Sequence, residues 1–185
     1  MKYIFTIFLI INSSFASEYF LTAGTFVPYF NKVQVNEEGD RQFFDLNPYL
    51  SIGNVINLSG PHFFIPELGY TYYLDTPDKT TKMIFFLHYD FAYALTGEWL
   101  LRYGLTNHWS RISGDGGTVR VKNGDGYANF DAPKKGITSY YTTLDLGFEF
   151  MFRKPMSVRF DLNMMSMMEQ ENTAYNYILT INWYR

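Results

Sequence analysis

Eight ionisable residues fall near the middle of segments in which oily and polar residues alternate: Glu67, His88, Asp90, Arg102, Asp145, Glu149, Arg159 and Asp161. Carboxylates, guanidinium groups and an imidazole gathered in one place can do two kinds of work. They can pair into a salt-bridged plug that fixes strand register, or they can move protons or ions, since perturbed groups cluster at functional sites and in ion-pair networks alike. Five of the eight are acids. An unpaired charge in a low-dielectric interior is costly, so the acid excess predicts bridging arginines or a protonated carboxyl.

A second constellation is His108-Trp109-Ser110, in which an imidazole could activate a hydroxyl for attack on an ester, with Asp115 or Asp90 as a candidate third member. A third is oxygen-rich: Asn123, Asp125, Asn129 and Asp131 could approach Ca²⁺. Their spacing departs from an EF-hand loop and lacks its terminal Glu, whereas adjacent Asn-Gly and Asp-Gly pairs supply the positive φ angles of tight hairpin turns. The turn reading is preferred, and neither a metal nor a cofactor is expected.

These residues must be positioned by strands. Met83 to Leu95 shows period-two alternation, clearest from Leu87 onward, the signature of strands with one oily face. The same pattern predicts strands over 18–30, 43–57, 62–74, 81–95, 97–109, 137–152, 155–166 and 172–184. Each has roughly the 9–11 residues, or a little more, that a tilted strand needs to cross a bilayer. The connections alternate: short after the second, fourth and sixth strands, longer after the first, third, fifth and seventh. The longest, 110–136, carries its own hairpin signal over 118–130 and reads as an external flap. The fold class expected is all-β, a single eight-stranded antiparallel up-and-down transmembrane β-barrel.

Parity assigns the faces. One row collects Met83, Phe85, Leu87, Tyr89, Phe91, Tyr93 and Leu95, then Leu144, Leu146, Phe148, Phe150 and Phe152, and continues through Val158 to Met164 and Tyr175 to Trp183. The other row holds the ionisable set together with Gly24, Gly53, Gly69, Gly104, Gly147, Ala92, Ala94, Thr71, Thr106 and Thr143. An eight-stranded barrel has an interior just wide enough for its side chains, so the small and charged row belongs inside and the aromatic row outside. The inverted arrangement would be a soluble, periplasmic lipocalin-like carrier. Tyr29, Tyr49, Tyr73, Trp99, Trp109, Tyr140 and Trp183, near strand ends, suit the aromatic girdles of a bilayer interface.

The first sixteen residues have the layout of a cleaved secretory signal: Lys2, an apolar run from Tyr3 to Ile11, and Ser14-Phe15-Ala16 as a small-x-small site. With 0 cysteines, disulfides, thiolate metal sites and a lipoprotein-type signal are excluded. A net charge of -3 lacks the basic footprint of a nucleic-acid binder. Aromatics at 20% exceed what an ordinary soluble core of 185 residues needs, which again favours a lipid-facing row.

In this pattern, and in segments such as Asn47-Pro48-Tyr49-Leu50-Ser51-Ile52-Gly53 and Glu67-Leu68-Gly69-Tyr70-Thr71-Tyr72, the chain resembles the small eight-stranded outer-membrane barrels of Gram-negative bacteria, the OmpA transmembrane-domain, OmpX and OmpW-like group. The resemblance implies a monomer in the cell outer membrane, in contact with lipopolysaccharide and the barrel-assembly machinery. It implies a structural or surface-interaction role, with loops 31–42 and 110–136 available to an external partner. Members usually end in an aromatic residue, whereas here Trp183 and Tyr184 are followed by Arg185. The alternative is a lipid hydrolase, because His108 and Ser110 are similar to the His-x-Ser of outer-membrane phospholipase A and the lipid A deacylases. Those enzymes usually follow the Ser with Asn, and Arg111 stands here instead.

Overall fold

The computed structural model describes residues 17–29, 34–35, 41–42, 45–74, 76, 80–123, 126–166 and 173–185. The signal segment 1–16, most of 30–44 and Asp125 lie outside the described residues. Eight strands among them form the barrel: β1 (Ser17–Val27), β2 (Asn47–Ser59), β3 (His62–Tyr72), β4 (Thr81–Ala94), β5 (Trp99–Ser113), β6 (Ile137–Arg153), β7 (Met156–Met165) and β8 (Ala174–Tyr184). Each pairs antiparallel with its neighbours in sequence, and β1 closes the ring by pairing with both β2 and β8, as in Gly24 opposite Tyr49 and Thr180. Closure leaves no unpaired sheet edge.

Most strand boundaries shift by one to four residues from the sequence expectation, and the shift at the end of the fifth strand moves the start of the flap. The fifth strand runs on to Ser113, because Ile112 and its neighbours keep pairing on both sides, with Lys82 and with Ile137. Ser110 therefore sits in the barrel wall, and the flap begins at Gly114 rather than at residue 110. Within the flap, Thr118–Asn123 pairs with Gly126–Asp131 as the Asn-Gly and Asp-Gly turn chemistry predicts. Gly116 and Gly117, at φ +80 and +86, turn the chain into this hairpin where a side chain would be strained. The first long loop holds a further two-residue pairing, Gln34–Val35 with Arg41–Gln42, too short to leave a periodic signal.

The aromatic and aliphatic row faces outward. Leu21, Leu50, Ile52, Leu68, Phe85, Phe91, Leu105, Leu146, Phe148, Phe160, Leu179 and Ile181 are all exposed on the barrel wall. This orientation does not fit a lipocalin-like carrier, whose oily row must line the inside. Trp99, Tyr140 and Trp183 are exposed near strand ends, as a girdle requires. Tyr49 departs from that expectation: it is fully buried inside the barrel, on the same row as Ser51 and Gly53.

The inside is layered. At the long-loop end Phe26, Tyr49, Ile84, Phe86 and Ile178 form an apolar cluster, and at the short-turn end Phe20, Ile65, Ala92 and Tyr184 form another. The charged residues lie between the two. The inner row thus holds more large rings than small interior residues alone would suggest, and glycine on adjacent strands makes the room. A Cβ on Gly53 would stand 2.3 Å from the Phe20 ring, and one on Gly69 2.4 Å from the Tyr49 hydroxyl.

Two outcomes follow from this packing. Replacing Leu146, exposed near mid-strand, by Arg should cost about 2–4 kcal/mol in a urea titration of the protein folded into lipid vesicles. Gly53→Val, which forces the Phe20 ring aside, should cost about 1–3 kcal/mol in the same titration.

Candidate functional site

The structure places Glu67, His88, Asp90, Arg102, Asp145, Glu149, Arg159 and Asp161 inside the barrel, each no more than 5% exposed. They come from β3, β4, β5, β6 and β7, and their alternation along those strands carries them inward together.

Arg159 reaches across the barrel. Its guanidinium donates to Glu67 on the opposite wall at 2.5 Å from Nη1 and 2.8 Å from Nη2, a two-pronged contact. Such forked pairs add geometric specificity to the charge attraction. Its Nε also lies 2.7 Å from an Asp161 oxygen, although the N–H does not line up for a hydrogen bond. Arg102 gathers carboxylates from several walls, donating to Asp90 at 2.8 Å, Glu149 at 3.1 Å and Glu67 at 3.4 Å. The bridging arginines expected from the acid excess are therefore these two.

A polar ring extends the network to every strand. Glu149 accepts from Ser157 at 2.5 Å, from Asn182 at 2.9 Å and from the Tyr184 hydroxyl, while Thr22 on β1 donates to Asn182 at 2.9 Å. Towards the long loops the Tyr49 hydroxyl donates to Glu67 at 2.8 Å and lies 2.9 Å from His88 Nε2. Asp145 accepts from Thr143 at 2.9 Å, from Asn163 at 2.6 Å and from Thr106. Gly147 and Gly104 leave the space that two of the acids fill: a Cβ on Gly147 would collide with Asp161 at 2.1 Å, and one on Gly104 with Asp90 at 2.5 Å.

Sequence reasoning put Thr106 and Thr143 on the inner row without giving them partners, and did not assign Tyr49, Ser157, Asn163, Asn182 and Tyr184 to the charged network. These neutral groups share the inner row by parity, which was the available signal. Their chemistry becomes visible only once the walls are brought together.

His108 is fully buried inside the barrel. Its ring stacks on Tyr141 at 4.4 Å and meets the Phe86 edge at 4.9 Å, both in the long-loop half of the interior. Thr143 spends its proton on Asp145, so His108 Nε2–H donates to the Thr143 oxygen at 2.9 Å, and Nδ1 has no hydrogen-bond partner. The imidazole is thus engaged with Thr143 rather than with Ser110, and nothing here supports the lipid-hydrolase alternative. In the flap, Asp131 accepts from Thr118 at 2.9 Å, and Arg120 lies 4.2 Å over the Tyr127 ring.

No sequence family matches the chain, and no curated protein does. Solved structures do match in fold. The crystal structure of Ail, the attachment invasion locus protein of Yersinia pestis, aligns with TM-score 0.50 over 91% of this chain and 99% of that one at 7% identity. Neisserial surface protein A aligns with TM-score 0.51 over 91% and 95% of the two chains at 9% identity. Both are similar to this chain as small eight-stranded outer-membrane β-barrels, and at such identities the likeness is one of fold.

Removing one partner of a buried pair strands the other. Arg159→Met should therefore lower the unfolding free energy of the detergent-folded barrel by about 3–5 kcal/mol. Combining it with Glu67→Gln should recover part of the loss, read as a coupling energy in a double-mutant cycle.

Proposed function

We propose that the chain is a non-enzymatic outer-membrane barrel that serves the cell envelope or presents its long loops to a surface, ligand or other cell. The observation that carries this reading is the pairing of an oily exterior with an interior crossed from wall to wall by Arg159 and Glu67. An oily exterior suits lipid, and a lumen spanned by side chains suits a scaffold better than a wide channel. The two neighbours are by name an attachment invasion locus protein and a surface protein, which is in keeping with a role at the cell surface.

The chain enters from the periplasm after a cleaved signal, so the short turns face the periplasm and the long loops face outward. Lipopolysaccharide contacts the outward row, the barrel-assembly machinery inserts the chain, and the working unit is a monomer. An external partner meets loops 31–42 and 110–136, the second of which projects the hairpin Thr118–Asn123 and Gly126–Asp131.

Planar-bilayer recording on the purified protein tests the closed interior. The expected result is silence or small, rare steps; conductance of porin size would overturn the reading. Fractionation of expressing cells tests the location, with the protein expected in the outer-membrane fraction and heat-modifiable on gels.

A further inference from the structure

One corner of the interior is short of positive charge. In the buried layers of the described residues, five carboxylates face the two guanidinium groups of Arg102 and Arg159. Those guanidiniums spend their contacts on Glu67, Asp90, Glu149 and Asp161. Asp145 has no arginine; its nearest basic group is His88, whose Nδ1 lies 3.9 Å away.

His88, Asp90 and Asp145 can each offer an atom to a common point, with those atoms all within 4.8 Å of one another. The backbone explains why. Gly104 on β5 stands directly opposite Asp90 on one side and Asp145 on the other, so the two acids flank a position with no side chain. Asp90 leans into that gap: its Oδ1 would touch a Gly104 Cβ at 2.5 Å, and it is buried without a hydrogen-bond partner. Its other oxygen is held by Arg102 at 2.8 Å, which fixes the direction of the bare one.

The imidazole is oriented as well. The Tyr49 hydroxyl donates its one proton to Glu67, so the contact with His88 must have Nε2–H as donor. In a neutral ring this leaves Nδ1 as a lone pair on the side of Thr106 and Asp145. While the ring is neutral Thr106 cannot satisfy both, since its Oγ1 lies 2.6 Å from Nδ1 and also contacts Asp145, with one proton to give; only a second proton on the imidazole or a cation at Nδ1 resolves this. Asp145 is meanwhile held by Thr143 and Asn163, the outer-shell bonding that orients ligands in metal sites.

We propose that His88, Asp90 and Asp145 bind one divalent transition cation, Zn²⁺ being the best match to one imidazole and two carboxylates. Small movements of three side chains would bring their atoms to the roughly 2.0–2.2 Å of Zn–N and Zn–O bonds. The cation would supply the charge that Asp145 lacks and relieve the competition for the Thr106 proton. Apolar clusters close the interior on both sides of this layer, so the ion would be taken up as the barrel folds and released slowly. The inference needs only the barrel interior and stands apart from the proposed surface role.

The test uses the tag-free mature chain folded into detergent with Zn²⁺ present, with Zn²⁺ added afterwards, or with chelator throughout, followed by dialysis and elemental analysis. Folding is verified in each case by heat-modifiable migration. The expected result is about one Zn per barrel when the ion is present during folding, less than a tenth of that when it is added afterwards, and a higher urea midpoint for the loaded protein. Asp90→Asn, which keeps an acceptor for Arg102, should fold and lose at least ten-fold in retained Zn. Co²⁺ substituted for Zn²⁺ should give visible d–d bands in wild type and not in Asp90→Asn. A folded wild type that retains no Zn, equal retention by Asp90→Asn, or loading only after folding would each overturn the proposal.

Discussion

The structure depends on one contact across the diameter of the barrel, the two-pronged bond from Arg159 to Glu67. These residues lie on β7 and β3, four strands apart around a ring of eight, so the pair spans the lumen. Buried ion pairs are poor evidence of net stability, because desolvation offsets most of the attraction. Their value here lies in register. A one-residue slip of any strand would send its inner row outward, and for β7 that would place Arg159 and Asp161 in lipid. Oily side chains on the outer row tolerate small shifts, whereas a forked guanidinium–carboxylate contact does not.

The layers above and below follow from that centre. Once Arg102 and Arg159 occupy the middle, the carboxylates must converge on them, and Gly147 and Gly104 supply space beside Asp161 and Asp90. The apolar clusters then separate the ion pairs from water at both ends, which strengthens the interactions and raises the cost of leaving any polar group unsatisfied. The resulting interior is crossed by side chains from wall to wall.

The barrel was largely legible in the chain, because period-two alternation is a local property and eight repeats of it leave little choice of architecture. The assignment of rows was legible too, from glycines such as Gly53 and Gly69 on the charged side. What escaped depended on distant walls meeting. Tyr49 looked like an interface aromatic because it sits near a strand end, yet its hydroxyl is required between Glu67 and His88. His108 and Ser110 looked like a catalytic pair because they are close in sequence, but strand pairing sets Thr143 against the imidazole instead. The extension of β5 to Ser113 was missed because its polar residues resemble a loop until their partners on β4 and β6 are in place.

With the oily row exposed and the charged row buried, the first should meet lipid while the second is sealed inside. Because the chain contains 0 cysteines, single spin labels can be attached without background. The most direct measurement is collision of those labels with lipid-soluble oxygen and with a water-soluble nickel chelate in reconstituted vesicles. Labels at Leu144, Leu146, Phe148, Phe160 and Leu179 should collide strongly with oxygen and weakly with nickel, while labels at Thr143, Ser157 and Thr180 should be shielded from both. Free nickel access along the oily row, or strong oxygen collision at the inner positions, would contradict the account.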